Sequence, residues 1–142
     1  MSDNFKALVV NQEGENFTRE VKSIDKSFLK HGDVLVKVDY SDLNYKDALI
    51  LNNGAKLVKE FPHIPGIDFS GTVLESDNSK FVKGDEVILT GWRVGEIYFG
   101  GYSQIAKEQS KAVNPAVPKI MACLDVISFG FLTKKSPLTF AS

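Results

Sequence analysis

The chain has 142 residues, 43% hydrophobic and 25% charged, the profile of one globular domain that buries a core without a metal or disulfide as a staple. Its 17 Lys and Arg against 18 Asp and Glu leave a formal net charge of -1, which offers no attraction to a phosphate backbone or an anionic membrane. One cysteine, Cys123, rules out an internal disulfide, and neither a signal-like N-terminus nor a run of ~18 apolar residues is present, so the expectation is a cytoplasmic protein with no nucleic acid and no membrane as partner.

Residues 5–10 form a short apolar run that ends in β-branched side chains, and the polar stretch 11–16 around Gly14 turns it back as a hairpin. A half-buried second strand is predicted over 17–24, where Phe17, Val21 and Ile24 stand among charged residues. The segment 33–40 has a clean two-residue period. Val34, Val36, Val38 and Tyr40 share one face and Lys37 and Asp39 the other, so it reads as a strand with one wet side. Ser41, Asp42 and Asn44 are candidate caps for a short helix over 45–51, which carries the acidic Asp47 in its first turn. Asn52-Asn53-Gly54 ends that helix, and the two prolines of 61–66 fix a loop of set shape.

Strand chemistry resumes over 67–75, with Gly71 where a side chain would obstruct a close backbone neighbour. Further strands are predicted over 86–89 and 102–107, joined by the turn Lys83-Gly84-Asp85 and a glycine-punctuated loop over 91–101. Short strands at regular spacing with one short helix give a mainly β fold, a barrel or a sandwich. Beyond Ser110 the texture changes. Pro115 and Pro118 interrupt the chain, and 120–132 is apolar with both helical spacing (Met121, Leu124, Ile127, Phe131) and a strand-like core at 126–129; both readings stay open.

Three pieces in order are more specific than composition: Leu43-Asn44-Tyr45-Lys46-Asp47, Pro65-Gly66-Ile67-Asp68-Phe69-Ser70-Gly71-Thr72-Val73, and Phe81-Val82-Lys83-Gly84-Asp85-Glu86-Val87. Together they resemble the GroES-like catalytic module of the medium-chain dehydrogenase/reductases. Leu89-Thr90-Gly91-Trp92, Val94-Gly95-Glu96 and Gly100-Gly101 narrow the resemblance to the zinc-free quinone oxidoreductase branch that includes acrylyl-CoA reductases of the YhdH/YhfP type. The resemblance covers about residues 5–107. It implies a mainly β module, a GroES-like partly open β-barrel with short helices, here 1–110, packed against a Rossmann domain, with NADPH and an α,β-unsaturated acyl substrate in the cleft between them.

The 32 residues after Ser110 have room for about one βαβ unit, and no glycine-rich phosphate loop follows a strand. The expectation is therefore no complete Rossmann domain, an unmatched segment over 111–142, and a truncated product or fragment. Such a chain either lacks a separately supplied nucleotide-binding domain or self-associates through the surface that domain would cover.

The resemblance makes Asn44 and Tyr45 the catalytic and cofactor-binding candidates. Tyr45 would touch the nicotinamide half of NADPH and Asn44 would make a polar contact in the cleft. From the residues alone, Asn44 reads equally as a helix cap and Tyr45 as a packing aromatic. Asp47 and Asp68 are expected to support this pair, with Asp47 also suited to the helix dipole and Asp68 to structural hydrogen bonds. No metal is expected: zinc-dependent relatives place a His-Glu pair beside the glycine that corresponds to Gly66, and here Ile67-Asp68 follow, while His31 and His63 lack ligand spacing. Two functions follow: an NADPH-dependent reductase of an activated carbon-carbon double bond (acryloyl-CoA-like enoyl thioester or quinone) as the leading reading, and a non-enzymatic remnant or binding module as the alternative.

Overall fold

The computed structural model describes residues 4–53 and 56–116. β1 (Asn4–Glu13) and β2 (Asn16–Asp25) pair antiparallel over their whole length, and Gly14 closes the turn at φ +63, a conformation open to glycine at no steric cost. Phe5, Ala7 and Val9 of β1 are buried. The half-buried pattern expected for β2 is found in part: Phe17 and Ile24 are half-buried, while Val21 and most of the strand face solvent, because its only strand partner among the described residues is β1.

The second sheet has the order β6-β3-β4-β5-β7, antiparallel at each pairing. Its strands are β3 (Val34–Ser41), β4 (Asp68–Ser76), β5 (Glu86–Thr90), β6 (Ile105–Glu108) and β7 (Asn114–Pro115). Its inner face carries Val34, Val36, Val38, Phe69, Val73 and Leu89 among other apolar residues. Each such side chain contributes roughly 1.5–3 kcal/mol on burial. A second cluster of Phe5, Ala7, Val9, Leu29, Leu35 and Ile64 lies beneath β1. Leu35 belongs to this cluster, so the start of β3 is buried on both faces rather than wet on one, and the reason is the β1–β2 hairpin laid across it.

The hairpin is fastened to the segment before β6. The Leu8 N–H donates to the Tyr102 carbonyl at 2.8 Å, and the Gln104 N–H to the Lys6 carbonyl at 2.9 Å. No described pairing joins the two sheets into a closed cylinder, so the barrel is partly open. Every neighbour in the main sheet is antiparallel, which leaves no βαβ crossover, and hence no dinucleotide fold, among the described residues.

Gly71 sits where β3 and β4 shift register. A Cβ there would lie 2.1 Å from the Lys37 carbonyl oxygen and 2.8 Å from a Val36 methyl, so only glycine allows this approach. The boundary expected after Ser110 is crossed by the core: Ala112 and Val113 are buried within it and β7 adds a last strand beside β5. The apolar stretch 120–132 and Cys123 lie outside the described residues. Among those residues no helix is long and apolar enough to cross a membrane.

Candidate functional site at the start of the helix

Helix α1 (Tyr45–Leu51) begins at Asn44, whose backbone is extended as an N-cap requires. The Asp47 side chain reaches back one turn, and its Oδ2 accepts the Asn44 N–H at 2.9 Å. Its Oδ1 accepts the Ile67 N–H at 3.1 Å. One carboxylate thus holds both the first turn of α1 and the strand entry after the proline loop. At the other end of α1, the Arg19 guanidinium donates to the Leu51 carbonyl, which the helix leaves free, and the Asn52 side-chain amide joins its own backbone N–H on the Ala48 carbonyl.

The Asn44 side-chain amide also reaches the sheet. Its Nδ2 donates to Asp68 Oδ2 at 2.5 Å, which joins the N-terminus of α1 to the first residue of β4. The Asp68 backbone carbonyl accepts the Ser41 hydroxyl at 2.8 Å, so the end of β3 is tied to the same point. Tyr45, the next residue, is 79% exposed. The structure therefore brings Asn44, Asp47 and Asp68 into one hydrogen-bonded group and leaves the Tyr45 ring uncovered beside it.

Asp47 is fully buried. Burial pushes its carboxyl above the usual carboxylate range, against the pull of the Asn44, Ile67 and Gly66 N–H groups and the Tyr102 hydroxyl. Asp68 is raised as well, first by burial and then by the Asp47 charge, while the Gly91 N–H and the Asn44 amide favour its ionised form. Tyr102, missed by sequence reasoning, supports the group from below. Its hydroxyl donates to the Asp42 carbonyl at 3.0 Å, and burial with nearby carboxylates keeps it protonated far above neutral pH. The signal available for it was its position directly after Gly100-Gly101, a pair that can lie close to another backbone.

That approach is observed. The Tyr102 N–H donates to the Pro65 carbonyl at 3.0 Å and the Gly101 N–H to the Gly66 carbonyl at 2.9 Å. A Cβ on Gly66, at φ +105, would meet the Tyr102 nitrogen at 2.6 Å. His63 packs within this loop: it is buried, its Nε2 lies 2.8 Å from the Gly95 carbonyl, and burial lowers its pKa. Lys46 Nζ pairs with Glu96 Oε1 at 2.6 Å, linking α1 to the 91–101 loop. Since Lys46 is half exposed, Lys46→Met is expected to cost less than about 1 kcal/mol, and less again at high salt; urea midpoints at low and high ionic strength check this. Among the described residues no group of three or more His, Cys, Asp or Glu is arranged to hold a metal ion.

With the antiparallel sheet, the proline-glycine loop and the Asn44–Asp68 junction in place, the class is settled by comparison. The chain belongs to the alcohol dehydrogenase GroES-like domain family, whose pattern matches residues 30–126. Within that family it is 46% identical over 113 residues to the acrylyl-CoA reductase AcuI of Ruegeria pomeroyi, covering 78% of this chain and 34% of that protein. It is 36% identical over 130 residues to the putative quinone oxidoreductase YhfP of Bacillus subtilis, covering 92% of this chain and 39% of the relative. The crystal structure of the yhdH oxidoreductase from Salmonella enterica in complex with NADP superposes with a TM-score of 0.77 at 41% identity, over 80% of this chain and 35% of that one. The chain spans about a third of the length of these relatives.

Proposed function

We propose that this module forms one wall of the cleft of an NADPH-dependent reductase that adds hydride to an activated carbon-carbon double bond, with an enoyl thioester such as acryloyl-CoA ahead of a quinone as substrate. The observation that carries this reading is the Asn44 amide pinned to Asp68 beside an uncovered Tyr45. An exposed flat ring next to fixed polar groups suits the nicotinamide end of the cofactor. The phosphate end is not matched by the described residues. Their one α-helix has seven residues, and its first turn is already served by Asp47, so a separate nucleotide-binding domain is needed for the pyrophosphate.

NADPH, when bound, supplies the hydride. The chain's own residues position it: Tyr45 contacts the nicotinamide half, Asn44 offers a polar contact, Asp68 fixes the Asn44 amide, and Asp47 fixes the Asn44 backbone. The partners in this reading are the small-molecule substrate and the nucleotide-binding domain, in a cytoplasmic setting. The module comprises 1–110 together with the β7 residues that complete its sheet. Without the second domain, its uncovered face favours self-association.

The reading is tested by grafting residues 1–116 into the matching place of the Escherichia coli relative, the probable acrylyl-CoA reductase AcuI, which is 46% identical over 102 residues. The graft is expected to reduce acryloyl-CoA with NADPH, Asn44→Ala to lower kcat at least ~10-fold through lost orientation, and Tyr45→Ala to raise the KM for NADPH. A folded graft that binds NADPH yet reduces neither acryloyl-CoA nor a quinone would establish the binding-module alternative instead.

A further inference from the structure

Glu108 ends β6 opposite Val34, at the start of β3, whereas Asp68 is tied to Ser41 at that strand's other end. Its residue is 98% buried, with a relative exposure of 2%, and its Oε1 has no hydrogen-bond partner. The backbone around it is held firmly. The Asp33 N–H donates to the Glu108 carbonyl at 2.9 Å, and a Cβ on Gly32 would meet Glu108 backbone atoms at 2.6 Å. Glu108 therefore cannot turn out to solvent by a shift of its strand alone.

Glu108 is one of the residues around a pocket of about 180 Å³, together with Trp92, Arg93, Tyr98 and Lys111, and its carboxyl lies just beneath that surface. A single water needs only about 10–15 Å³, so this space takes a small organic molecule. A second opening, of about 10 Å³, lies on the side of His31 and Lys107 and holds a water at most. Trp92, Tyr98, Val94 and Ala112 give the larger pocket apolar walls, while Arg93 and Lys111 place two positive charges on it. An ammonium group entering here would meet both cations. An anion meets both favourably, and a neutral glutamic acid adds an O–H donor.

We propose that this pocket binds a small organic carboxylate, aromatic or short-chain, which takes a hydrogen bond from the protonated Glu108 carboxyl and charge from Arg93 and Lys111. The carboxyl and carboxylate then share one proton, an arrangement shorter and stronger than a neutral hydrogen bond, whereas two ionised carboxylates would repel. Burial already favours the protonated form of Glu108. The other charged or titratable side chains around it are His31 and Lys107, across the smaller opening, and Asp33, whose carboxylate is occupied by the Ser110 N–H at 2.6 Å. None of them takes a hydrogen bond from Glu108 or gives one to its side chain.

Calorimetric titration of the whole chain with benzoate, and with benzylamine as the cationic counterpart, tests this. One benzoate is expected to bind per chain, with no proton uptake while Glu108 is protonated, and with uptake of one proton and an affinity falling about tenfold per pH unit once Glu108 ionises in the free chain. Glu108→Gln, which keeps a donor and cannot titrate, is expected to bind with no such pH dependence. Glu108→Leu and Arg93→Gly are each expected to weaken binding at least ~10-fold, with near-ultraviolet circular dichroism confirming that the variants stay folded. Benzylamine binding as well as benzoate, unchanged affinity in a folded Glu108→Leu chain, or no saturable benzoate binding at millimolar concentration would each overturn the proposal.

Discussion

Asp47→Ala is expected to lower the stability of the domain by about 3 kcal/mol, and with it the melting temperature by about 15 °C. The loss follows from the two N–H groups, of Asn44 and Ile67, that share this carboxylate. Each becomes a buried donor with no acceptor, at about 1–3 kcal/mol apiece. Asp47→Asn keeps one amide oxygen and presents an N–H to the other donor, so it should recover no more than half of the loss. The damage is local before it is global. The backbone of Asn44 is held by Asp47, and its amide by Asp68, so the Asn44 side-chain amide signals should lose their dispersion in nuclear magnetic resonance spectra while β1 and β2 keep theirs. Urea unfolding with those spectra checks both parts. An Asp47→Ala chain of unchanged midpoint would mean that water or a backbone shift satisfies both donors.

The Asn44 cap, the acidic third residue and the Asn-Asn-Gly stop were enough to place α1, because helix ends are set by local hydrogen bonding. Strands β1, β3, β4 and β5 were likewise legible from apolar runs and turn residues. What sequence did not show is which surface a face meets. Leu35 looked like the wet side of β3 and is buried, because the hairpin that covers it comes from residues some 25 positions earlier. Val21 looked half-buried and is 50% exposed, because nothing in its neighbourhood shows that β2 lies at an edge. The Tyr102 link to Asp42 spans 60 residues, beyond any local pattern. Glu108 is different, since the alternation of β6 pairs it with Ala106 on the buried face. A glutamate on that face was a readable anomaly.

That anomaly carries the other large effect, the pH dependence of stability contributed by Glu108. Burial holds its carboxyl well above the range of an exposed glutamate, about 4.3. Between that value and its folded-state pKa the native chain binds more protons than the unfolded one, so stability falls as pH rises. The contribution is fully present below the unfolded pKa and is lost as pH rises through the folded one. Other groups move stability too. Asp47 and Asp68 are raised and act in the same direction. Asp25 and Asp33 are lowered, so their contribution is lost only as pH falls through their folded-state values. His63 is lowered by burial and adds stability as pH climbs toward the usual histidine range.

The difference between the wild-type chain and Glu108→Leu cancels those shared contributions. It should be small near pH 5 and grow with pH in favour of leucine, by up to about 1.4 kcal/mol per pH unit for as long as the folded chain keeps the carboxyl protonated and the unfolded chain does not. Urea unfolding of both chains across that range measures it directly. A difference independent of pH, or a leucine variant less stable at pH 8, would show that Glu108 is not an unpartnered carboxyl in solution. The expected result makes the benzoate titration sharper, because a leucine variant more stable than its parent cannot lose ligand binding by failing to fold. Loss of binding in that variant would then mean that the carboxyl, retained at a cost in stability, is a recognition group.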